Sequence, residues 1–538
     1  MARLLLVDDD MDQLEARRLL LEAAGHEVRP AATAVEALSQ LEATRPETVV
    51  MDLRLPRVED GIALIRSLRQ QAPQTRIVVL SGWPADLSRL PEAAMVDHLL
   101  AKPVQSKRLL DLLGRIAVCL LSFAPWLFAE QGKNAFPFSL DNAGEVVAEL
   151  DLTAPGADWG RPGRESVLAV VTVDDTRKQH VMVYAGSERH RYPVFLGPLE
   201  AGPHQLRIER HNEYSARGIP LEIHKVDFRP IKPTDADYLV IAHAPVIHGR
   251  PNTIGKFSDT PLLAYAERLP DNSLRYSVIF SNEDGGTSTR GLMARWGRAT
   301  DIEHVYHVWL DPSGKPLRAQ IQTRNHKDVA FQGKQEGLHP LLGVVTDNNM
   351  VDSIPIGAVR FQPAPILVDL NGSSRERVMD EHPATHLISS RELEREGKLR
   401  RYGTIDGTKI SAPENYLYVE MRIVNKESRL AVLVRLEGEN FWRSSHLGFH
   451  DLAIERSGWI RTAIELPPAT QPAQAAEMAF QCLPEVKTDG GGQCRIESIG
   501  KLFFLDARQR PTESFWRPRI DRGPWVVAAG QMRAVSLR

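Results

Sequence analysis

The chain has 538 residues, which is too long for a single hydrophobic core, so its length predicts two to four domains. With 43% hydrophobic and 25% charged residues, the composition is that of a globular protein and excludes disorder over the whole chain. Lys and Arg number 66 and Asp and Glu number 69, so the charge balance does not favour a nucleic-acid partner.

Residues 3–117 alternate short apolar, β-rich runs with amphipathic helical stretches, which predicts a parallel sheet with helices on both faces. We predict strands at 3–7, 26–30, 48–52, 76–81 and 98–102. We predict helices at 11–24, 33–43, 61–71, 84–95 and 104–117. Five such units make a doubly wound, flavodoxin-like α/β domain over residues 1–117, whose ligands bind at the carboxyl ends of the strands.

Chemically active side chains stand at those strand ends. Asp8 and Asp9 follow the first predicted strand, and Asp52 ends the third. Three carboxylates at one edge repel one another unless a hard cation lies between them, and Mg²⁺ prefers such oxygen ligands. Ser81 ends the fourth strand and Lys102 the fifth, where a hydroxyl and an ammonium group can bind phosphoryl oxygens. The set contains the parts required for phosphoryl transfer to a carboxylate.

This part of the chain resembles the receiver family of bacterial two-component systems. The resemblance rests on Val-Asp-Asp, a single strand-end Asp, a strand-end Ser and Lys-Pro. The resemblance implies that a histidine kinase or a phosphotransfer protein phosphorylates Asp52 in the cytoplasm. It implies that Asp8, Asp9 and the backbone carbonyl of Arg54 join Asp52 in binding Mg²⁺, and that the Lys102–Pro103 peptide bond is cis. A receiver that keeps the fold for docking without being phosphorylated is the alternative.

Two features depart from the family pattern. The stretch between Asp52 and Gly61 is one residue longer than usual, so we expect the loop beside the phosphoacceptor to be shifted. Position 99, where an aromatic switch residue often stands, is Leu. We expect phosphoryl chemistry to survive both changes, whereas the usual coupling of Ser81 to an aromatic ring is in doubt.

An uncharged apolar run covers residues 116–129 and follows Lys107, Arg108 and Arg115. It is short for a membrane span, but its basic flank, apolar centre and terminal Ala resemble the core of a signal peptide. The favoured interpretation is that the last receiver helix continues and buries its end. The alternative is an export signal, a membrane anchor or a gene-fusion joint, so residues 118–139 are assigned to an apolar linker or a signal-like or anchor-like segment.

From about residue 140, short strand-like runs alternate with Gly, Pro and Asp turns. They predict an antiparallel β-sandwich at 140–230 and a larger β-rich domain at 238–538. The phrase LGPLEAGPHQLRIER resembles the late hairpin of jelly-roll modules, some of which bind carbohydrate, so a glycan is one candidate ligand. Cys482 and Cys494 flank a predicted hairpin and are expected to form a disulfide if this region lies outside the cytoplasm.

Four residues of the larger domain form a second candidate set, namely Asp301, Glu303, His326 and His339. Asp301 and Glu303 would lie on one face of a strand. The set is faintly similar to a poorly characterised β-rich family named for vacuolar protein sorting, which brings no known reaction. One hypothesis is a metal-assisted hydrolase or glycan-binding site, and the favoured interpretation is solvated strand faces and turn residues. No recognised catalytic motif identifies the region as an enzyme.

These observations leave competing hypotheses of function. The first is a response regulator in which phosphorylation of Asp52 shifts the receiver between two conformations and regulates the β-rich remainder. The second is an envelope or secreted β-rich glycan-binding protein or hydrolase fused to a receiver, with its C-terminal region anchored at the membrane or exported. A scaffold without catalysis is the third.

Overall fold

The computed structural model describes residues 3–23, 26–81, 87, 90–102, 104, 109, 134–250, 253, 257–283, 285–355, 357–485, 492–516 and 524–537. It divides into two compact units, Met1–Ala129 and Glu130–Arg538. The first contains the α/β domain that the sequence predicts, and the second contains the strand-rich remainder.

The first unit is an α/β domain with one parallel sheet. Its strands are β1 (Arg3–Val7), β2 (Glu27–Ala31), β3 (Thr48–Asp52), β4 (Arg76–Ser81) and β5 (His98–Ala101). The described helices are α1 (Met11–Ala23), α2 (Ala34–Thr44) and α3 (Val58–Gln71), with a 3₁₀ turn at Pro91–Met95. The strand order is β2-β1-β3-β4-β5, with every neighbouring pair parallel. The predicted doubly wound fold is confirmed.

The sheet of this unit is buried on both faces. Because successive strand side chains point to opposite faces, Leu5 and Val7 of β1 join one apolar cluster, and Leu4 and Leu6 join the other. Strands β3 and β4 contribute to both clusters in the same alternating way. The parallel arrangement brings the carboxyl ends of β1, β3, β4 and β5 to one edge, where the predicted site residues stand.

Helix α2 lies one residue later than predicted, and larger differences occur at two other places. Helix α3 begins at Val58, three residues before the predicted start, because the Asp60 carboxylate accepts a hydrogen bond from the Arg57 N–H at 3.3 Å and caps the first turn. The end of the helix predicted at 84–95 is a 3₁₀ turn that starts at Pro91. Apart from Val104 and Leu109, the helix predicted at 104–117 and the apolar run at 116–129 lie outside the described residues.

The second unit is rich in strands. Its four described helices are α4 (Tyr238–Ala242), α5 (Thr289–Trp296), α6 (Arg377–Glu381) and α7 (Ala384–Arg395). Its strands, in chain order, are β6 (Ala135–Leu140), β7 (Gly144–Thr153), β8 (Leu168–Val173), β9 (Arg177–Met182), β10 (His190–Leu199), β11 (Gly202–Arg210), β12 (Glu222–Ile231), β13 (Val246–His248), β14 (Pro261–Arg268), β15 (Leu274–Phe280), β16 (Asp301–Leu310), β17 (Pro316–Thr323), β18 (Lys327–Ala330), β19 (Gln335–Glu336), β20 (His339–Val344), β21 (Val351–Asp352), β22 (Arg360–Phe361), β23 (Ile366–Val368), β24 (Tyr416–Lys426), β25 (Ser428–Leu436), β26 (Arg443–Ser444), β27 (Gly458–Glu465), β28 (Ala475–Pro484), β29 (Gln493–Phe503), β30 (Trp525–Ala528) and β31 (Met532–Ser536).

These strands form several sheets, as predicted for a mostly β region. The sheet orders are β10-β7-β12, β19-β20-β13-β22-β9-β8-β11-β6 with β21 beside β20, β18-β17-β16-β15-β14-β23, β27-β24-β29-β30 and β26-β25-β28-β31. Strand β22 pairs with both β13 and β9, so one sheet contains strands from both predicted β-rich regions. The internal boundaries at 139, 230 and 238 stay predictions, as does the sandwich arrangement.

Candidate phosphoacceptor site

Three carboxylates meet at the carboxyl edge of the parallel sheet. Ligand oxygens of Asp8, Asp9 and Asp52 all lie within 4.8 Å of one another, and no other group of three His, Cys, Asp or Glu side chains in the described ranges does so. Val7 and Met51 are paired in register, so the acidic residues that follow them are brought together. Asp8 is buried, Asp52 is half-buried and Asp9 is exposed, which leaves the cluster open to solvent on one side.

Two cations balance part of this negative charge. The Lys102 Nζ donates a hydrogen bond to Asp52 Oδ2 at 2.7 Å and lies 3.6 Å from Asp8 Oδ2. The Arg17 guanidinium, from α1, donates to Asp8 Oδ2. The sequence analysis missed Arg17, although its place in the helix that directly follows the acidic pair was the available signal.

Ser81 and Lys102 stand on neighbouring strands at the same edge. Ser81 pairs with Ala101 in register, and the Lys102 N–H donates to the Ser81 carbonyl at 2.8 Å. Ser81 is buried, whereas the Lys102 side chain is 25% exposed and reaches Asp52. A hydroxyl and an ammonium group therefore stand on adjacent strands at the edge that carries the half-buried carboxylate.

The donor set fits a hard divalent cation. All three clustered ligands are carboxylates, the chemistry that Mg²⁺ prefers, and the exposed position of Asp9 leaves room for the waters that Mg²⁺ retains. Arg54 lies beside the cluster, since its N–H donates to Asp52 Oδ1 at 3.4 Å. A metal bond from the Arg54 carbonyl stays a prediction.

The loop after Asp52 contains a cis peptide bond at Leu55–Pro56. The predicted cis bond at Lys102–Pro103 cannot be compared, because Pro103 lies outside the described residues. Leu99 is half-buried and packs against one of the two apolar clusters of the sheet. An aliphatic side chain thus packs at the position where the family often has an aromatic one.

The second candidate set is not brought together. His326 is exposed in the turn between β17 and β18. His339 is buried, with its Nδ1 2.8 Å from the Ala244 carbonyl and its Nε2 3.2 Å from Glu145 Oε2. Period-two alternation shows which side chains share a strand face, but it does not show which strands are neighbours. The four residues therefore form no common site.

Asp301 and Glu303 are not on a solvated strand face, which corrects the favoured interpretation. They are 1% and 6% exposed, because β16 is an inner strand between β15 and β17. Burial raises the pKa of both carboxyl groups, and the charge of Asp301 raises that of Glu303 further. The Asn349 amide donates to Asp301 Oδ2 at 3.0 Å. The pair therefore belongs to a buried polar cluster.

Comparisons with known proteins identify a family for the N-terminal part of the chain. The response regulator receiver domain family matches residues 4–114. The chain is 34% identical over 182 residues to the transcriptional regulatory protein PrrA of Mycobacterium leprae, a match that covers 33% of this chain and 67% of that protein. It is 35% identical over 109 residues to the response regulator MprA of Mycobacterium avium, covering 20% of this chain and 47% of the relative. The chain thus spans about half the length of MprA.

Two solved structures each resemble about a fifth of the chain. The CheY-like receiver domain protein of Methanospirillum hungatei is 27% identical with a TM-score of 0.19, covering 21% of this chain and 92% of that structure. The chemotaxis protein CheY4 of Vibrio cholerae is 29% identical with a TM-score of 0.19, covering 22% and 98%. On the family match and the PrrA similarity, residues 4–114 form a receiver domain and the chain belongs to the two-component response regulators.

Proposed function

We propose that this response regulator accepts a phosphoryl group on Asp52 from a histidine kinase or a phosphotransfer protein. The convergence of Asp8, Asp9 and Asp52 within 4.8 Å carries the proposal, because it combines a nucleophilic carboxylate with further ligands for a divalent cation. Asp52 is the member of this cluster that Lys102 contacts at 2.7 Å. The cytoplasm is the compartment in which such a donor would reach the receiver.

In the proposed reaction, a carboxylate oxygen of Asp52 attacks the phosphorus atom, and the bond between phosphorus and the donor breaks. Lys102 then pairs with a phosphoryl oxygen in place of the carboxylate that it now contacts. The Ser81 hydroxyl supplies a hydrogen bond to another of these oxygens. Asp8, Asp9 and Asp52 would hold Mg²⁺, which would supply positive charge that offsets repulsion between the carboxylates and the phosphoryl group.

The regulated part is proposed to be the β-rich unit. Phosphorylation changes the charge at the sheet edge and so shifts the receiver between two conformations. Ser81 and Lys102 are the first groups to respond, since both are proposed to bind the new oxygens. With Leu99 in place of an aromatic ring, the signal is expected to leave by another element of the receiver.

Intact-mass measurement after incubation with acetyl phosphate and Mg²⁺ tests the phosphoacceptor. We expect an adduct of one phosphoryl group on the natural chain and none on Asp52→Asn. Asp10→Asn is the matched control, because Asp10 is exposed and Asn replaces Asp well as the first residue before a helix. No adduct on the natural chain, or an equal adduct on Asp52→Asn, contradicts the proposal.

One observation favours a second candidate, an envelope or secreted β-rich glycan-binding protein or hydrolase fused to the receiver. Cys482 and Cys494 form a disulfide between β28 and β29, and structural disulfides persist mainly in oxidising compartments. Among the described residues, no helix has the length and apolar character that a bilayer crossing requires.

Protease treatment of intact cells separates the candidates. Digestion of the β-rich unit with the receiver protected supports export, and full protection together with free Cys482 and Cys494 thiols contradicts it.

A further inference from the structure

The β-rich unit contains a polar cavity of ≈ 370 Å³, a volume within the range of small-molecule sites. It is lined by β14, β15 and β16 and by the segments around residues 370–376 and 456–459. Two tryptophans, Trp296 and Trp459, share this lining with Arg375, Glu376 and Arg456. None of these residues belongs to the phosphoacceptor site.

The cavity lining contains more arginine side chains than carboxylates. Arg275 is neutralised by Glu267 at 3.0 Å, so Glu376 is the remaining carboxylate of the lining. Glu376 is fully buried and already accepts a hydrogen bond from Arg298 at 3.4 Å. One carboxylate therefore serves several guanidinium groups.

Arg375 is the cation of the lining with unused hydrogen-bond donors. Burial lowers its pKa, but the charges of Glu376 and Glu303 outweigh that effect and raise it. Its side chain is 35% exposed, and its one ion-pair contact in the described ranges is Glu376 at 3.8 Å, beyond hydrogen-bond distance. Its guanidinium makes no hydrogen bond to any described residue, although it has five N–H donors. The Oγ of Ser373, a neighbour in the lining that is 9% exposed, also has no partner among the described residues.

Arg456 is the second available cation. It donates to the Arg295 carbonyl, and its guanidinium carbon lies 5.0 Å from the centre of the Trp296 ring, but it has no carboxylate within 4.0 Å among the described residues. Burial lowers its pKa to about 9, and the charges of Arg375 and Arg298 act in the same direction, whereas Glu376 opposes them. Arg456 therefore has the charge of Glu376 nearby but no carboxylate in direct contact among the described residues.

Two buried carboxylates outside the lining, Asp301 and Glu303, act on Arg375 without an ion-pair contact. Burial raises the pKa values of both carboxyl groups. An anion in the cavity would provide acceptors for the Arg375 N–H groups, which have none among the described residues.

We propose that the cavity binds a small organic anion, whose carboxylate or phosphate oxygens pair with Arg375 and Arg456. Arginine recognises both groups with two parallel hydrogen bonds, which a guanidinium fork provides and an ammonium group does not. The apolar faces of Trp296 and Trp459 suit the rest of the molecule, such as the C–H face of a sugar ring.

Calorimetric titration of the full chain with inorganic phosphate, D-glucuronate and D-glucose tests the site. We expect saturable binding of phosphate, glucuronate or both, weakened by added salt, and no binding of neutral glucose. Binding of one anion alone assigns the site to that oxyanion. Arg375→Gln should weaken binding at least about tenfold, the loss expected for one charge-assisted hydrogen bond.

Arg318→Gln is the matched control, since Arg318 is exposed on β17 and does not line the cavity. Arg456→Gln is a second variant, and melting curves without ligand show whether each variant folds. Arg375→Lys should bind less tightly than the natural chain but more tightly than Arg375→Gln, because it keeps the charge without the fork. The proposal is overturned if neither anion binds, if glucose binds equally, or if folded Arg375→Gln and Arg456→Gln variants bind as tightly as the natural chain.

Discussion

Arg17 is the site residue with the least obvious role, because its guanidinium pairs with a carboxylate that is proposed to bind metal. The Arg17 side chain is 14% exposed and Asp8 is 1% exposed, so water screens this contact only in part. A cation that approaches Asp8 must therefore compete with a positive charge that belongs to the chain itself.

We expect Arg17→Gln to bind Mg²⁺ more tightly, by roughly tenfold for a loss of competing charge worth about 1.4 kcal/mol. Calorimetric titration with Mg²⁺ measures the change. Arg18→Gln on the same helix is the control, because Arg18 pairs with Glu15 and Glu22 and not with the acidic cluster. Weaker Mg²⁺ binding in Arg17→Gln would show that Arg17 holds Asp8 in place and does not compete for it.

The protonation of Glu283, a buried carboxyl group, makes the stability of the folded chain depend on pH. Burial, followed by the charge of Asp301, raises its pKa from 4.5 to about 8. Between these values the folded chain binds more protons than the unfolded chain, so its stability falls as pH rises through that window. We expect Glu283→Gln to reduce this fall by a free energy on the order of a few kcal/mol.

Urea unfolding measured near pH 4.5 and near pH 8, the two ends of the shift, tests this expectation. Asp328→Asn is the control, since its carboxyl group is 55% exposed. In Glu283→Gln, the fall in the free energy of unfolding between the two pH values should diminish but not vanish, because Asp301 and Glu303 also have raised pKa values. The same loss of stability in the natural chain and in Glu283→Gln would contradict the assignment.

At the scale of elements, Gly61 holds helix α3 against the loop that follows Asp52. A Cβ atom at Gly61 would lie 1.9 Å from the Leu53 carbonyl oxygen, so the helix or the loop must move to admit one. Alanine stabilises a helix by about 1 kcal/mol relative to glycine, but overpacking costs about 1–3 kcal/mol. The substitution should therefore lower the stability of the folded chain.

We therefore expect Gly61→Ala to lower the melting temperature and to slow phosphorylation by acetyl phosphate, which intact-mass time courses measure. In Gly144→Ala, the new Cβ would lie 3.8 Å from the Ile231 carbonyl oxygen, an ordinary contact distance, so this control should leave the phosphorylation rate unchanged. A Gly61→Ala chain that melts and reacts like the natural one would show that the loop yields without cost.

The elements differ in how far sequence alone predicts them. Strands β1, β3 and β4 match their predicted limits because buried parallel strands are short apolar runs with distinct ends. Helix α3 begins early because its cap joins Arg57 to Asp60, a pair outside the usual capping residues. The acidic cluster was predictable since one edge gathers all parallel strand ends, whereas Arg375 and Arg456 meet through long-range packing that no local pattern shows.

At the scale of the whole molecule, the proposal connects a receiver to a strand-rich unit whose activity is not determined. If the phosphoryl group regulates that unit, amide hydrogen exchange within residues 134–537 should change when acetyl phosphate and Mg²⁺ are added. The change should be absent in Asp52→Asn. Unaltered exchange throughout the β-rich unit of a fully phosphorylated chain would contradict regulation of this unit.

Asp52 is the centre of the account, and borohydride trapping tests it most directly. Borohydride reduces an aspartyl phosphate to homoserine, so peptide mass spectrometry of the treated, phosphorylated chain identifies the modified position. The account predicts homoserine at position 52 and aspartate at positions 8 and 9. Homoserine at another position, or a phosphorylated chain with none at position 52, would contradict it.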